Sequence, residues 1–158
     1  MQLAEQIAKH FREVCFGGNW TAVNLKESLA DVTWEQATTQ IRSFNTIAAL
    51  VFHTNYYVSA VLEVLQGEPL TAKDLHSFAH PPILSQQNWE ALLDKTWMDA
   101  ERFASLVELL PESKLGEDFT DGKYGSYYRN LHGIIEHTHY HLGQIVLLKK
   151  MLLPADEH

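Results

Sequence analysis

Nine histidines occur in the 158 residues of the chain, and four of them fall within the ten residues from His132 to His141. Imidazole is the commonest protein ligand for transition metals, so this crowding raises the question of a metal site. His137 and His141 are four residues apart. On a helix that spacing stacks two side chains on one face with Cβ atoms about 5 to 6 Å apart, close enough to share an ion. His139 is rotated by about 200° from His137 at 3.6 residues per turn and cannot join them while the helix stays regular. His132 lies seven residues before His139, so these two share a different face, where solvent or a subunit contact is expected.

A firmly held ion needs a third protein ligand. Positions 134 and 145 are isoleucine and 144 is glutamine, so that ligand has to come from another helix. His53 is the candidate, because it falls on an inward apolar stripe between Leu50 and Tyr57, where an unpartnered imidazole is costly. From the residues alone, two readings stand for each group. His53 also fits a core histidine bonded to a backbone carbonyl, and H-x-x-x-H is permissive enough to arise from packing. Two zinc-protease signatures are absent. His137 is followed by Thr138 rather than Glu, and His132 is separated from Glu136 by one residue too many for H-x-x-E-H.

These residues need helices to position them, and the apolar periodicity supplies four long ones. Gln2 to Phe16 reads as helix, and after Gly17-Gly18 the pattern resumes over Trp20 to Leu29, with a further turn at Trp34 to Gln40. Ser43 is the expected N-cap of the next helix, Phe44 to Gln66, with Ile47, Leu50, Tyr57, Val61 and Val64 at spacings of three and four and Gly67 past its end. Pro69 to Pro82 reads as a crossing loop with one helical turn. Ser85 caps Gln86 to Leu110, whose buried stripe is expected at Trp89, Leu92, Leu93, Trp97, Phe103, Leu106 and Leu110, and Pro111 stops it. Glu112 to Tyr124 is expected to be a surface connection. The last helix, Ser126 to Leu153, runs to Pro154 with Leu131, Ile134, Ile135, Leu142, Ile145 and Leu148 facing in. Strand patterns are weak, so the expected fold class is all-α, a four-helix bundle spanning residues 1–158 as a single domain.

Composition narrows the function. A charge of −8, from 20 acids against 12 bases, with no basic cluster, removes the counterion-release term that drives nucleic-acid binding. Apolar runs such as Ile47 to Phe52 are far shorter than the roughly 20 residues that span a bilayer, so no membrane partner is expected. Met1-Gln-Leu-Ala-Glu lacks a basic stretch followed by an apolar core, and the expected location is cytoplasmic. Cys15 is the sole cysteine and is expected to be a buried, inert hydrophobe.

The segment Leu131-His-Gly-Ile-Ile-Glu-His-Thr-His-Tyr-His-Leu-Gly-Gln-Ile145 resembles the last helix of the DinB/YfiT-like family of metal-binding four-helix bundles. Ser43-Phe-Asn-Thr-Ile-Ala-Ala-Leu-Val-Phe-His53 resembles its second-helix motif. The resemblance implies a divalent metal held by one histidine of the second helix and two of the last, here His53, His137 and His141. It also implies small-molecule chemistry of the low-molecular-weight-thiol transferase or metal-dependent hydrolase type, with a low-molecular-weight thiol as a cosubstrate, and homodimerisation. Leu142 departs from the arginine that many relatives carry before Gly-Gln.

Three neutral imidazoles leave an ion's charge intact and positions open for a water or a thiol. Zinc, nickel, iron and manganese all accept this ligand set. Around it, helical phase makes Gln144 and Tyr57 second-layer candidates, and Glu136, about 100° from His137, a weak candidate base. Two other readings accompany the enzyme: a non-enzymatic metal-binding or stress-associated dimer, and a helical interaction module without metal.

Overall fold

The computed structural model describes residues 1–153, so Pro154, the expected helix stop, and His158 lie outside the described residues. Among the described residues there are seven α-helices, one 3-10 turn and no strands: α1 (Leu3–Phe16), α2 (Leu25–Leu29), α3 (Trp34–Thr38), α4 (Ile47–Leu65), the 3-10 turn Asp74–His76, α5 (Gln86–Glu108), α6 (Glu112–Leu115) and α7 (Tyr127–Leu152). The four long ones form a closed ring of contacts, α1 against α5 and α7, and α4 against α5 and α7.

Three of the four long helices, α4, α5 and α7, start at a serine or threonine cap. Ser85 accepts from the Asn88 amide and Ser126 from the Arg129 amide, each at 3.2 Å, which satisfies donors that the first helical turn leaves free. The start of α4 differs from expectation. Thr46, not Ser43, is the cap and accepts from Ala49 N at 3.1 Å. Arg42 takes a left-handed φ of 51°, and the turn it closes with Ile41 and Phe44 keeps Ser43 out of the helix. Thr46 stands directly before the buried pair Ile47 and Ala48, so the first capping residue that meets the core prevails.

The expected helix over Trp20 to Leu29 shrinks to its last five residues. Asn19 explains the loss: its Nδ2 donates to the Glu13 and Val23 carbonyls while its Oδ1 accepts from the Thr21 amide. That network offers the backbone an alternative to helical bonding. Trp20, first in the expected helix, is fully exposed.

The core runs along α4, which is buried on nearly every side, and is filled by Phe11, Trp89, Phe103, Leu131, Ile135 and Ile145. By length and composition α4 would pass for a membrane span, yet 61% of its most apolar window is buried inside this fold. The stripe of α5 is narrower than expected. Trp89, Thr96, Ala100, Phe103, Ala104 and Val107 are buried, while Leu92, Leu93, Trp97 and Leu110 are only half-buried at its edges. The Trp89 indole donates to Val32 O at 2.9 Å and ties α5 to the segment after α2.

The stretch Glu112 to Tyr124 also departs from the expected surface connection. It contains α6, it buries Leu115 and Phe119, and Asp118 pairs with Ser126 in an antiparallel bridge. Phe119 lies edge-on to Tyr127, with ring centroids 5.2 Å apart, which anchors the turn to the start of α7.

Candidate metal centre

His53 projects from the middle of α4, and His137 and His141 from successive turns of α7, into the seam where the two helices pack. His137 Nε2 stands 3.1 Å from His53 Nε2 and 3.0 Å from His141 Nε2. One ligand atom from each of the three lies within 4.8 Å of the others. Metal–nitrogen bonds of about 2.0 to 2.1 Å place neighbouring ligand nitrogens roughly 3 to 3.4 Å apart, so the two separations at His137 have the dimensions of a coordination shell.

Protons alone cannot satisfy this arrangement. His141 Nδ1 lies 2.7 Å from Gln144 Oε1 and donates to it, which leaves the His141 Nε2 lone pair facing inward. A single Nε2 of His137, carrying either one hydrogen or one lone pair, then meets two nitrogens at once. A cation serves all three lone pairs together. His53 Nδ1 and His137 Nδ1 are buried with no hydrogen-bond partner, a further sign that these rings are not held in place by ordinary polar pairing.

The environment favours neutral rings, the form that binds metal. Burial, then the charges of His141 and His53, pushes the His137 pKa down to about 4. Burial followed by the charge of His141 lowers that of His53, against an opposing pull from the Ser77 backbone and Asp74. His141 is lowered by burial, partly offset by its bond to Gln144.

Several neighbours fix the rings. Phe78 stacks on His53 with centroids 3.8 Å apart and planes 6° from parallel. Tyr57 stands edge-on to His53 and His137 at 5.2 and 5.1 Å, and its hydroxyl donates to Asp74 Oδ1 at 2.8 Å. Tyr140 sits edge-on to His141 at 4.9 Å. Asp74, Ser77 and Phe78 escaped the reading of the sequence. They belong to the strap 69–82, pinned by the Tyr56 hydroxyl, which donates to Lys73 O and accepts from Lys73 N, both at 2.9 Å. No periodicity marks such residues, because the path of the strap across α4 sets their contacts.

His132 and His139 stay out of this cluster, as helical phase requires. Rather than meeting only solvent they face α1, where the His10 ring lies 6.4 Å from His132 and 6.2 Å from His139. His132 Nδ1 also approaches Glu136 at 3.7 Å. On the strap, His80 packs near Phe52.

A groove of about 1270 Å³ opens on the His53 and His137 side of the cluster, with Tyr57, Tyr128 and Arg129 among its walls. Residues 19–145 match the DinB superfamily. The chain belongs to the DinB superfamily. No curated protein and no solved structure gave a match. The matched DinB region includes all of α4 and most of α7, so every residue of the histidine cluster lies within it.

Proposed function

We propose that the chain binds one divalent metal ion through Nε2 of His53, His137 and His141 and uses it in an enzymatic reaction of the low-molecular-weight-thiol S-transferase or hydrolase type. The observation that carries this reading is the approach of the His53 and His141 Nε2 atoms to His137 Nε2, at 3.1 and 3.0 Å, in the seam between α4 and α7. On the same reading, the ring of four long helices is the four-helix bundle of the superfamily, in a cytoplasmic protein acting on a small molecule.

A bound ion would supply Lewis acidity, which lowers the pKa of water from 15.7 to roughly 7 and favours thiolate over thiol. The protein residues supply position. Gln144 holds the His141 ring in the tautomer that turns its Nε2 inward, Phe78 and Tyr57 clamp His53 from two sides, and the strap keeps bulk water from that face. The Tyr57 hydroxyl, bonded to Asp74, holds its proton more firmly than usual, first through burial and then through that bond, so it serves as a hydrogen-bond donor rather than a base. Glu136 is exposed and lines the groove together with His137, which keeps it as a candidate to take a proton from a substrate.

Metal analysis of protein prepared in zinc or nickel tests the proposal, with about one ion per chain expected. Metal-free protein rejects it. A thiol-conjugation screen beside an ester- and amide-hydrolysis screen then separates the two reaction types. A non-enzymatic metal-binding or stress-associated dimer is the second reading, and one observation favours it. Phe44, Leu147 and Met151 are apolar, exposed, and clustered around a pocket of about 320 Å³ at the start of α4 and the end of α7, as a subunit contact would require.

A further inference from the structure

We propose that the groove beside the histidines takes an elongated anion, with its metal-binding head at His53 and His137 and its carboxylate or phosphate tail between Lys123 and Arg129. This rests on the metal-centre reading and adds the class of substrate. At about 1270 Å³ the groove lies above the usual range of ligand sites, about 300 to 1,000 Å³, which leaves room for an elongated ligand.

Its two ends differ in chemistry. One end carries the imidazoles of His53 and His137, and Lys123 and Arg129 line the other. Arg129 precedes His137 by eight residues on the same helix, which separates their backbones by about 12 Å along the axis. Among the described residues neither cation makes an ion pair; Lys26, Arg42, Lys73, Arg102 and Lys150 make none either, but Lys123 and Arg129 are the two that line this groove. In a chain of net charge −8 an anion is repelled by most of the surface and drawn to such a pair.

The cationic end is built rather than floppy. Phe119 N bonds to Gly125 O at 2.8 Å, Asn130 Nδ2 donates to Tyr124 O at 3.0 Å, and the Lys123 amide donates to Asp121 Oδ1 at 3.1 Å. The Arg129 stem lies across Gly125, where an added Cβ would stand 2.8 Å from Arg129 Cδ, at a φ of +80° that glycine tolerates best. The Lys123 ammonium sits 5.1 Å from the centre of the Tyr124 ring. Glu136, the carboxylate that lines the groove, approaches His132 Nδ1 at 3.7 Å and makes no ion pair with Lys123 or Arg129. An arginine and a lysine lining one groove can both bond carboxylate or phosphate oxygens.

The test uses cobalt-loaded protein and two pairs of thiols that differ only in tail charge: 4′-phosphopantetheine against pantetheine, and glutathione against its diethyl ester. Thiolate-to-cobalt absorbance reports binding at the histidine end. In wild type, at least one charged thiol should bind about tenfold or more tightly than its neutral partner, the range of one charge-assisted hydrogen bond. The pair that shows it identifies a phosphate or a carboxylate tail. Lys123→Gln with Arg129→Gln should abolish the preference while leaving cobalt content and the affinity of the neutral thiol unchanged. Equal affinities within both pairs, no binding of any of the four, or a preference that survives both substitutions overturns the anion site. Failure to take up cobalt overturns the metal centre itself.

Discussion

The chain gathers histidines twice along α7, and the two gatherings come to different ends. At the α4 seam His53, His137 and His141 point Nε2 at one another from 3.0 and 3.1 Å, with His53 and His141 buried. At the α1 seam His10, His132 and His139 lie near one another with ring centroids more than 6 Å apart, and His10 is exposed. Residue type and local density are the same. What differs is the spacing on α7, four residues against seven, since the second is two full turns and about 10.5 Å of rise. Density of histidine is therefore a weak signal, and phase with a facing helix is a strong one.

The contrast breaks most sharply at His137, whose Nε2 meets both partners. His137→Ala should reduce metal content from about one ion per chain to background, read by elemental analysis, because two remaining imidazoles hold an ion loosely. His132→Ala should leave the content unchanged, and equal losses from both variants would erase the distinction drawn between the seams. Next in size is Gln144→Ala, which frees the His141 ring to turn. A drop of about 10 to 100-fold in metal affinity is expected, measured by competition with a chromophoric chelator, and no change would show that Gln144 does not orient the ring.

Acidification discriminates in the same direction. The pKa of His137 lies at about 4 in the fold against about 6.5 unfolded, so between these values the unfolded chain binds more protons. Stability of the metal-free protein is then complete above about pH 6.5 and falls as the pH drops toward 4. Urea midpoints of His137→Ala should be flatter across that window than those of wild type. The smallest effect belongs to His10→Ala, an exposed site expected to shift stability by no more than about 0.5 kcal/mol in thermal or urea unfolding and to leave metal content alone. A larger loss would mean that the α1 seam has a structural role of its own.

The sequence displays this contrast because helical phase is local information. The intervals between His132, His137, His139 and His141 divide them before any partner is known, and His53 lies on an apolar stripe that had to face inward. The Gln144 contact with His141 follows from the same three-residue step. What escapes is set by the chain's path between helices. Phe78 and Asp74 reach His53 and Tyr57 only because the strap crosses α4. The retreat of the helix start from Ser43 to Thr46 depends on a left-handed Arg42, and the loss of the helix after Trp20 on the side-chain bonds of Asn19. In both places two local bonding schemes compete with similar residues, and position relative to the core decides between them.

Cys15, the sole cysteine, is buried within α1, and burial raises its thiol pKa well above the usual range. With its thiol buried and held protonated, the folded chain is expected to react only slowly with thiol-specific reagents at neutral pH. Thiol consumed or released during turnover should therefore be measurable with disulfide-exchange dyes over a low protein background.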